Sequence, residues 1–167
     1  MGESLVREGY AGTGPGAITP DGCAVELYRR LAVGDEPDVV ASVAPAGASI
    51  LELGCGAGRV THPLVERGFT VTAVDESPEM LEQIVGARTV RSPIETLDLG
   101  AERFDVVLLG SFLVHAEYDF GDARWTQTFR SRELSDDQLA GHLEAAGLAV
   151  DRTLTDDGTW LLARPMS

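Results

Sequence analysis

Residues 50–60 read ILELGCGAGRV: an apolar run, one carboxylate at Glu52, then glycines at 54, 56 and 58. Glycine reaches positive φ and lets another group approach the main chain within contact distance, at an entropic cost. A simple turn does not need three of them. Ser49–Leu53 reads as a strand feeding the glycines. In the following RVTHPLVERG, Val60, Leu64 and Val65 recur as one helical stripe that Gly68 terminates. Phe69–Val74 is β-branched and apolar, a buried second strand ending at Asp75. Strand, glycine turn, helix and strand in this order predict an α/β fold with a parallel, helix-covered sheet and right-handed crossovers.

The same alternation extends on both sides. Downstream, Ser77-Pro78-Glu79 opens a helix with Ser77 as cap and Pro78 at its first position. Thr89-Val90 makes a short third strand and Phe104–Leu109 a fourth. Arg124–Arg130 sets Trp125, Gln127 and Phe129 against Thr126 and Thr128, a strand periodicity. Ser135 caps a closing helix that Gly147 ends, and the rest reads as an antiparallel hairpin with Trp160 in the core. Upstream, a helix over Pro37–Val43 stops before Pro45, and another follows Asp21, its expected cap. Residues 9–22, GYAGTGPGAITPDG, read as a Gly-rich flap.

Composition bounds the partners. A chain of 167 residues with 44% hydrophobic content fits one domain, here 1–167, burying roughly 68–70% of its unfolded surface. Its net charge of −14 would repel nucleic acid and acidic membranes, so neither is an expected partner. All 13 basic residues are arginines, which leaves no lysine for Schiff-base chemistry. Cys23 and Cys55 lack metal-ligand spacing, so no metal site and no disulfide framework is expected. With no secretion-signal pattern and no stretch of about 18 apolar residues, a cytoplasmic location is expected.

In open parallel sheets, ligands bind beyond the carboxyl ends of the strands. Asp75 closes the strand next to the glycines, about twenty positions on, where a carboxylate accepts both hydroxyls of a ribose. An adenosine-type ligand follows. A dinucleotide fingerprint wants Gly or Ala where Arg59 stands, which disfavours a nicotinamide-dependent oxidoreductase. The run ILELGCGAGRVTHPLVERGFTVTAVDESPEML instead resembles motif I, E/D-x-G-x-G-x-G, and the next strand of the class I S-adenosylmethionine-dependent methyltransferases, a Rossmann-like family.

That resemblance extends over most of the chain and implies a set of roles. S-adenosylmethionine would be the cofactor and S-adenosylhomocysteine the product. Gly54, Gly56 and Gly58, with Cys55 in the same turn, would border its methionine and ribose portion, Glu52 would help receive its amino group, and Asp75 with Glu76 would hold the ribose. Acidic residues suit a ligand bearing a sulfonium and an ammonium. Met80 would lie along the adenine, or else be a core methionine on an amphipathic helix. In SPIETL, Pro93 stands where many members have Asp, so Ile94 and Glu95 would replace that adenine contact. DVVLLGSFLVHA matches the fourth strand and the loop facing the reactive methyl, placing Gly110, Ser111 and Phe112 beside it.

One piece is missing from the pattern. The segment after His115 is too short for the helix and fifth strand of the full family fold, since a crossover needs at least about 10–12 residues. Residues 1–45 are then an N-terminal flap and helices, 46–115 the cofactor half, and 116–167 a shortened substrate and C-terminal half. A bare fourth-strand edge calls either for a second copy of the chain, a homodimer, or for a further segment that completes the sheet. Methyl transfer relies chiefly on proximity and alignment, up to ~7–11 kcal/mol. His115 is the candidate general base. Tyr10, Tyr28, Phe112 and Trp125 are candidate pocket aromatics, with sheet packing the competing role for Trp125. The expected function is methylation of an O or N nucleophile of a small molecule, less readily of carbon. The alternative is a cofactor-binding protein of the same fold that does not methylate, such as a partner subunit or a cyclase.

Overall fold

The computed structural model describes residues 6–110, 115–129 and 134–166. Its elements run β1 (Ala11–Thr13), α1 (Val25–Arg30), α2 (Glu36–Val43), β2 (Ser49–Leu53), α3 (Thr61–Glu66), β3 (Thr70–Asp75), α4 (Pro78–Leu81), β4 (Arg88–Arg91), a 3-10 turn (Ile94–Thr96), β5 (Val106–Leu109), β6 (His115–Asp119), β7 (Arg124–Thr128), α5 (Asp136–Ala145), β8 (Leu148–Thr153) and β9 (Leu161–Pro165). The fold is α/β, with a mostly parallel sheet and a C-terminal antiparallel hairpin, as the alternation of strand and helix signals predicts.

The central sheet has the order β4-β3-β2-β5, and its paired strands are parallel. In β2 and β3, Ile50, Ala73 and Val74 are fully buried, and Leu64 of α3 is buried with them. Such near-continuous apolar strands belong to the middle of a helix-covered parallel sheet. Among the described residues β5 ends this sheet, and its Val107 and Leu109 are 60% and 57% exposed. Ser77 caps α4 by accepting from the Met80 N–H at 3.2 Å, with Pro78 following, as expected.

A second sheet, β1-β7-β6, is antiparallel and does not follow from local pattern. The Gly-rich flap supplies β1, which lies against β7 from Ala11 opposite Thr128 to Thr13 opposite Thr126. Beside β1 the main chain doubles back so tightly that a Cβ on Gly12 would sit 2.0 Å from the Gly22 carbonyl oxygen. Trp125 of β7 is fully buried among Ala24, Leu27 and half-buried Ile18 and Tyr28, and its Nε1 donates to the Pro15 carbonyl at 3.0 Å. Asp21 is not the cap of α1: Ala24 holds that position without a side-chain hydrogen bond. Asp21 instead accepts from the Thr19 hydroxyl and from the Cys23 thiol.

Residues 134–166 form a compact unit of their own. Ser135 and Gln138 make a reciprocal capping box on α5, and Gly147 ends it at φ +75°. β8 and β9 pair antiparallel with an irregularity between Val150 and Arg152. Trp160, expected in a core, is half-buried.

Candidate functional site

The carboxyl ends of β2, β3 and β4 open into one cavity of about 210 Å³. Gly54, Asp75, Glu76, Ile94 and Glu95 line it from the sheet side, together with Ser92 and Pro93. Arg7, Tyr10, Asp21 and Phe129 line it from the flap and from the end of β7.

Asp75 is held in place by the main chain. Its Oδ2 accepts from the Gly56 N–H and its Oδ1 from the Ser77 N–H, both at 2.9 Å. Each carboxylate oxygen keeps a second acceptor direction for a ligand hydroxyl. Burial pushes the Asp75 carboxyl above its usual range; the Ser77 and Gly56 N–H groups oppose this, and the Asp21 charge adds to it. Burial also raises Glu76, which Arg7 opposes, while Asp21, Asp75 and Glu95 push the same way. A cation entering this cavity relieves that crowding.

The three glycines differ in purpose. All have positive φ: 72° at Gly54, 54° at Gly56 and 89° at Gly58. Gly54 alone of the three faces the cavity. A Cβ on Gly56 would meet Tyr28 Cδ1 at 3.2 Å, and one on Gly58 would lie 2.5 Å from His62 Cε1. The protein's own side chains therefore occupy the space over the second and third glycines. His62 also accepts from the Val85 N–H at 3.1 Å. Arg59, which stands where a dinucleotide site needs a small residue, pairs with Glu36 at 2.5 Å.

Of the residues expected at the site, the structure brings Gly54, Asp75, Glu76, Ile94, Glu95 and Tyr10 around this cavity. Others lie elsewhere. Glu52 is buried behind it, accepting from the Thr61 hydroxyl at 2.7 Å, and its carboxyl is pushed up to about 7, chiefly by burial. Cys55 is buried, with its N–H donated to the Val74 carbonyl at 2.9 Å. Met80 packs in a core cluster with Cys23, Val25, Ala57 and Phe129 rather than along the cavity wall. Tyr28 leans on Gly56, with its hydroxyl accepting from Gln127 Nε2 at 3.1 Å. Trp125 takes the sheet-packing role and Gly110 follows β5, and neither lines the cavity. Ser111 and Phe112 lie outside the described residues. So does the side chain of His115, which opens β6.

Sequence reasoning missed Arg7, Asp21 and Phe129. Asp21 reads as a helix cap and Phe129 as an inward position of a strand; no periodicity marks Arg7. Their common signal is long-range: the flap strand pairs with β7, and Tyr10 meets Phe129 edge to face with centroids 6.2 Å apart.

Comparison with known proteins fits this geometry. Residues 51–129 match the model of a methyltransferase domain family. The chain is similar to an uncharacterized methyltransferase of Mycobacterium tuberculosis, 43% identical over 67 residues, covering 40% of this chain and 28% of that protein. It is also similar to a ubiquinone biosynthesis O-methyltransferase of Xanthomonas axonopodis, 32% identical over 87 residues, covering 46% and 36%. The match thus spans about a third of the length of these relatives. The fold is shared with the solved glycopeptide N-methyltransferase MtfA, at a TM-score of 0.51 and 16% identity, over 76% of this chain and 89% of that one. Among the described residues no helix is long and apolar enough to cross a membrane. The stretch 51–129, which carries the glycine turn and the strand-ending Asp75 that open on this cavity, is thus similar to a methyltransferase domain.

Proposed function

We propose that this chain binds S-adenosylmethionine in the Asp75 cavity and transfers its methyl group to an O or N nucleophile of a small molecule. The observation that carries the reading is the convergence of Gly54 and Asp75 with the Pro93–Ile94 wall on one cavity. The donor set fits such a cofactor. A bare main chain at Gly54 admits the amino-acid portion, and the Asp75 carboxylate accepts sugar hydroxyls. The apolar wall suits a flat base, and Asp21 and Asp75 suit a ligand with a positive centre. When bound, the cofactor supplies an electrophilic methyl on a sulfonium, which passes to the acceptor's lone pair as the carbon–sulfur bond breaks.

The residues contribute position rather than covalent chemistry. Asp75, fixed by two backbone N–H groups, sets where the sugar sits. Tyr10 and Phe129 exclude water on the flap side and offer aromatic surface to a flat acceptor. His115 is the base we assign to the acceptor's proton.

A second reading, binding without methylation, is favoured by one fact: the match spans only about a third of the curated relatives. Incubation with methyl-labelled cofactor and panels of phenols, amines and carboxylic acids separates the two. Label transfer to a phenol or amine is the expected result. Tight binding of the cofactor with no transfer to any panel member favours the second reading.

A further inference from the structure

We propose that Arg7 clamps the base of the cofactor: its planar guanidinium forms one wall of the purine end of the cavity, so the N-terminal flap acts on the methyl donor. The inference rests on the cofactor reading above. Arg7 Nη2 lies 2.6 Å from Glu76 Oε2, across 69 positions of sequence, and Nη1 lies 3.8 Å from Glu95 Oε1. Glu76 follows the end of β3, and Glu95 stands in the 3-10 turn after β4. One guanidinium thus bridges the two strand ends beside the Pro93–Ile94 wall. Among the described residues it is the only basic side chain lining the cavity.

Its main chain is tied down as well, with the Arg7 N–H donating to the Pro20 carbonyl at 2.6 Å and the Tyr10 N–H to the Arg7 carbonyl at 3.0 Å. Carboxylates that engage a guanidinium at its edge leave its flat faces free, and those faces stack on aromatic rings. Charge decides which end of the ligand Arg7 meets. A guanidinium would be repelled by the sulfonium, whereas the neutral base tolerates it. With the sugar at Asp75, a base lying along Pro93 and Ile94 would share the cavity with Arg7, which lines it as well.

The test is calorimetric titration of the full chain with S-adenosylhomocysteine and, separately, adenosine, for wild type, Arg7→Ala and Arg7→Lys. Stacking predicts that Arg7→Ala weakens both probes about tenfold. It also predicts that Arg7→Lys, which keeps the charge but not the plane, recovers only a minor part. Circular dichroism checks folding, and the lysine variant carries the test where the alanine variant does not fold. Alanine binding within twofold of wild type overturns the proposal, as does lysine binding equal to wild type or a loss confined to S-adenosylhomocysteine. Wild type that binds neither probe defeats the cofactor reading itself, and the clamp with it.

Discussion

At the ends of β2 and β3, Gly54 and Asp75 are brought together by consecutive parallel pairs, from Ser49 opposite Thr70 to Leu53 opposite Val74. On the flap side of the same cavity, Arg7, Tyr10 and Asp21 meet Phe129 because β1 pairs with β7, where Thr13 and Thr126 hydrogen-bond across 113 positions. The first region is a local unit whose order follows from apolar periodicity, helix stops and a run of glycines. The second exists only once distant segments have closed on each other. The cavity is therefore a durable floor beneath a roof whose formation depends on loop closure and on one buried aromatic.

Trp125→Ala should break the roof outright. Removing a fully buried Trp that also donates to the Pro15 carbonyl costs about 3–5 kcal/mol, read by chemical denaturation. A loss below about 1 kcal/mol would mean that the small sheet does not rely on it.

Asp75→Ala strikes the floor. It removes the acceptor of two backbone N–H groups and of the sugar hydroxyls, and should weaken S-adenosylhomocysteine binding by about 2–3 kcal/mol in a calorimetric titration. Binding should also weaken on acidification, because the raised carboxyl of Asp75 is neutralised before an ordinary aspartate would be.

Glu52 sharpens the comparison by pH. Its unfolded carboxyl titrates near 4.5 and its folded one at about 7. Between those values the folded state holds a proton that the unfolded state has released, so stability falls as pH rises, until both are ionised above about 7. Glu52→Gln keeps an acceptor for Thr61 and removes this dependence. The variant should match wild type near pH 4 and exceed it by about 3 kcal/mol at pH 8, by denaturation at the two pH values. The smallest effect is expected at Gly56, where floor and roof touch. Gly56→Ala adds a Cβ at positive φ against Tyr28 and should cost about 1–2 kcal/mol in thermal or chemical unfolding.

The same contrast explains how much was legible in the sequence. Ser49–Leu53, Asp75, the Ser77-Pro78 start of α4 and the inward set Trp125, Gln127 and Phe129 are all local signals, and each stands where its pattern predicts. Met80 and Trp125 went to cores because helical or strand periodicity reports burial, not what lies on the far side of the buried face. Asp21 had a local reading as a cap, but the turn from Thr19 to Cys23 offered its carboxylate closer donors. The glycines announce close approach without saying by what, and at Gly56 and Gly58 the approaching groups are Tyr28 and His62 of the chain itself. Arg7 carries no pattern; only the closed flap gives it Glu76 as a partner.

A crystal structure of the protein grown with S-adenosylhomocysteine tests the cofactor site most directly. Both ribose hydroxyls should lie within about 3 Å of the Asp75 carboxylate, with the bare main chain of Gly54 against the amino-acid portion. A nucleoside seated in any other cleft, with the Asp75 cavity closed to it, would contradict the assignment.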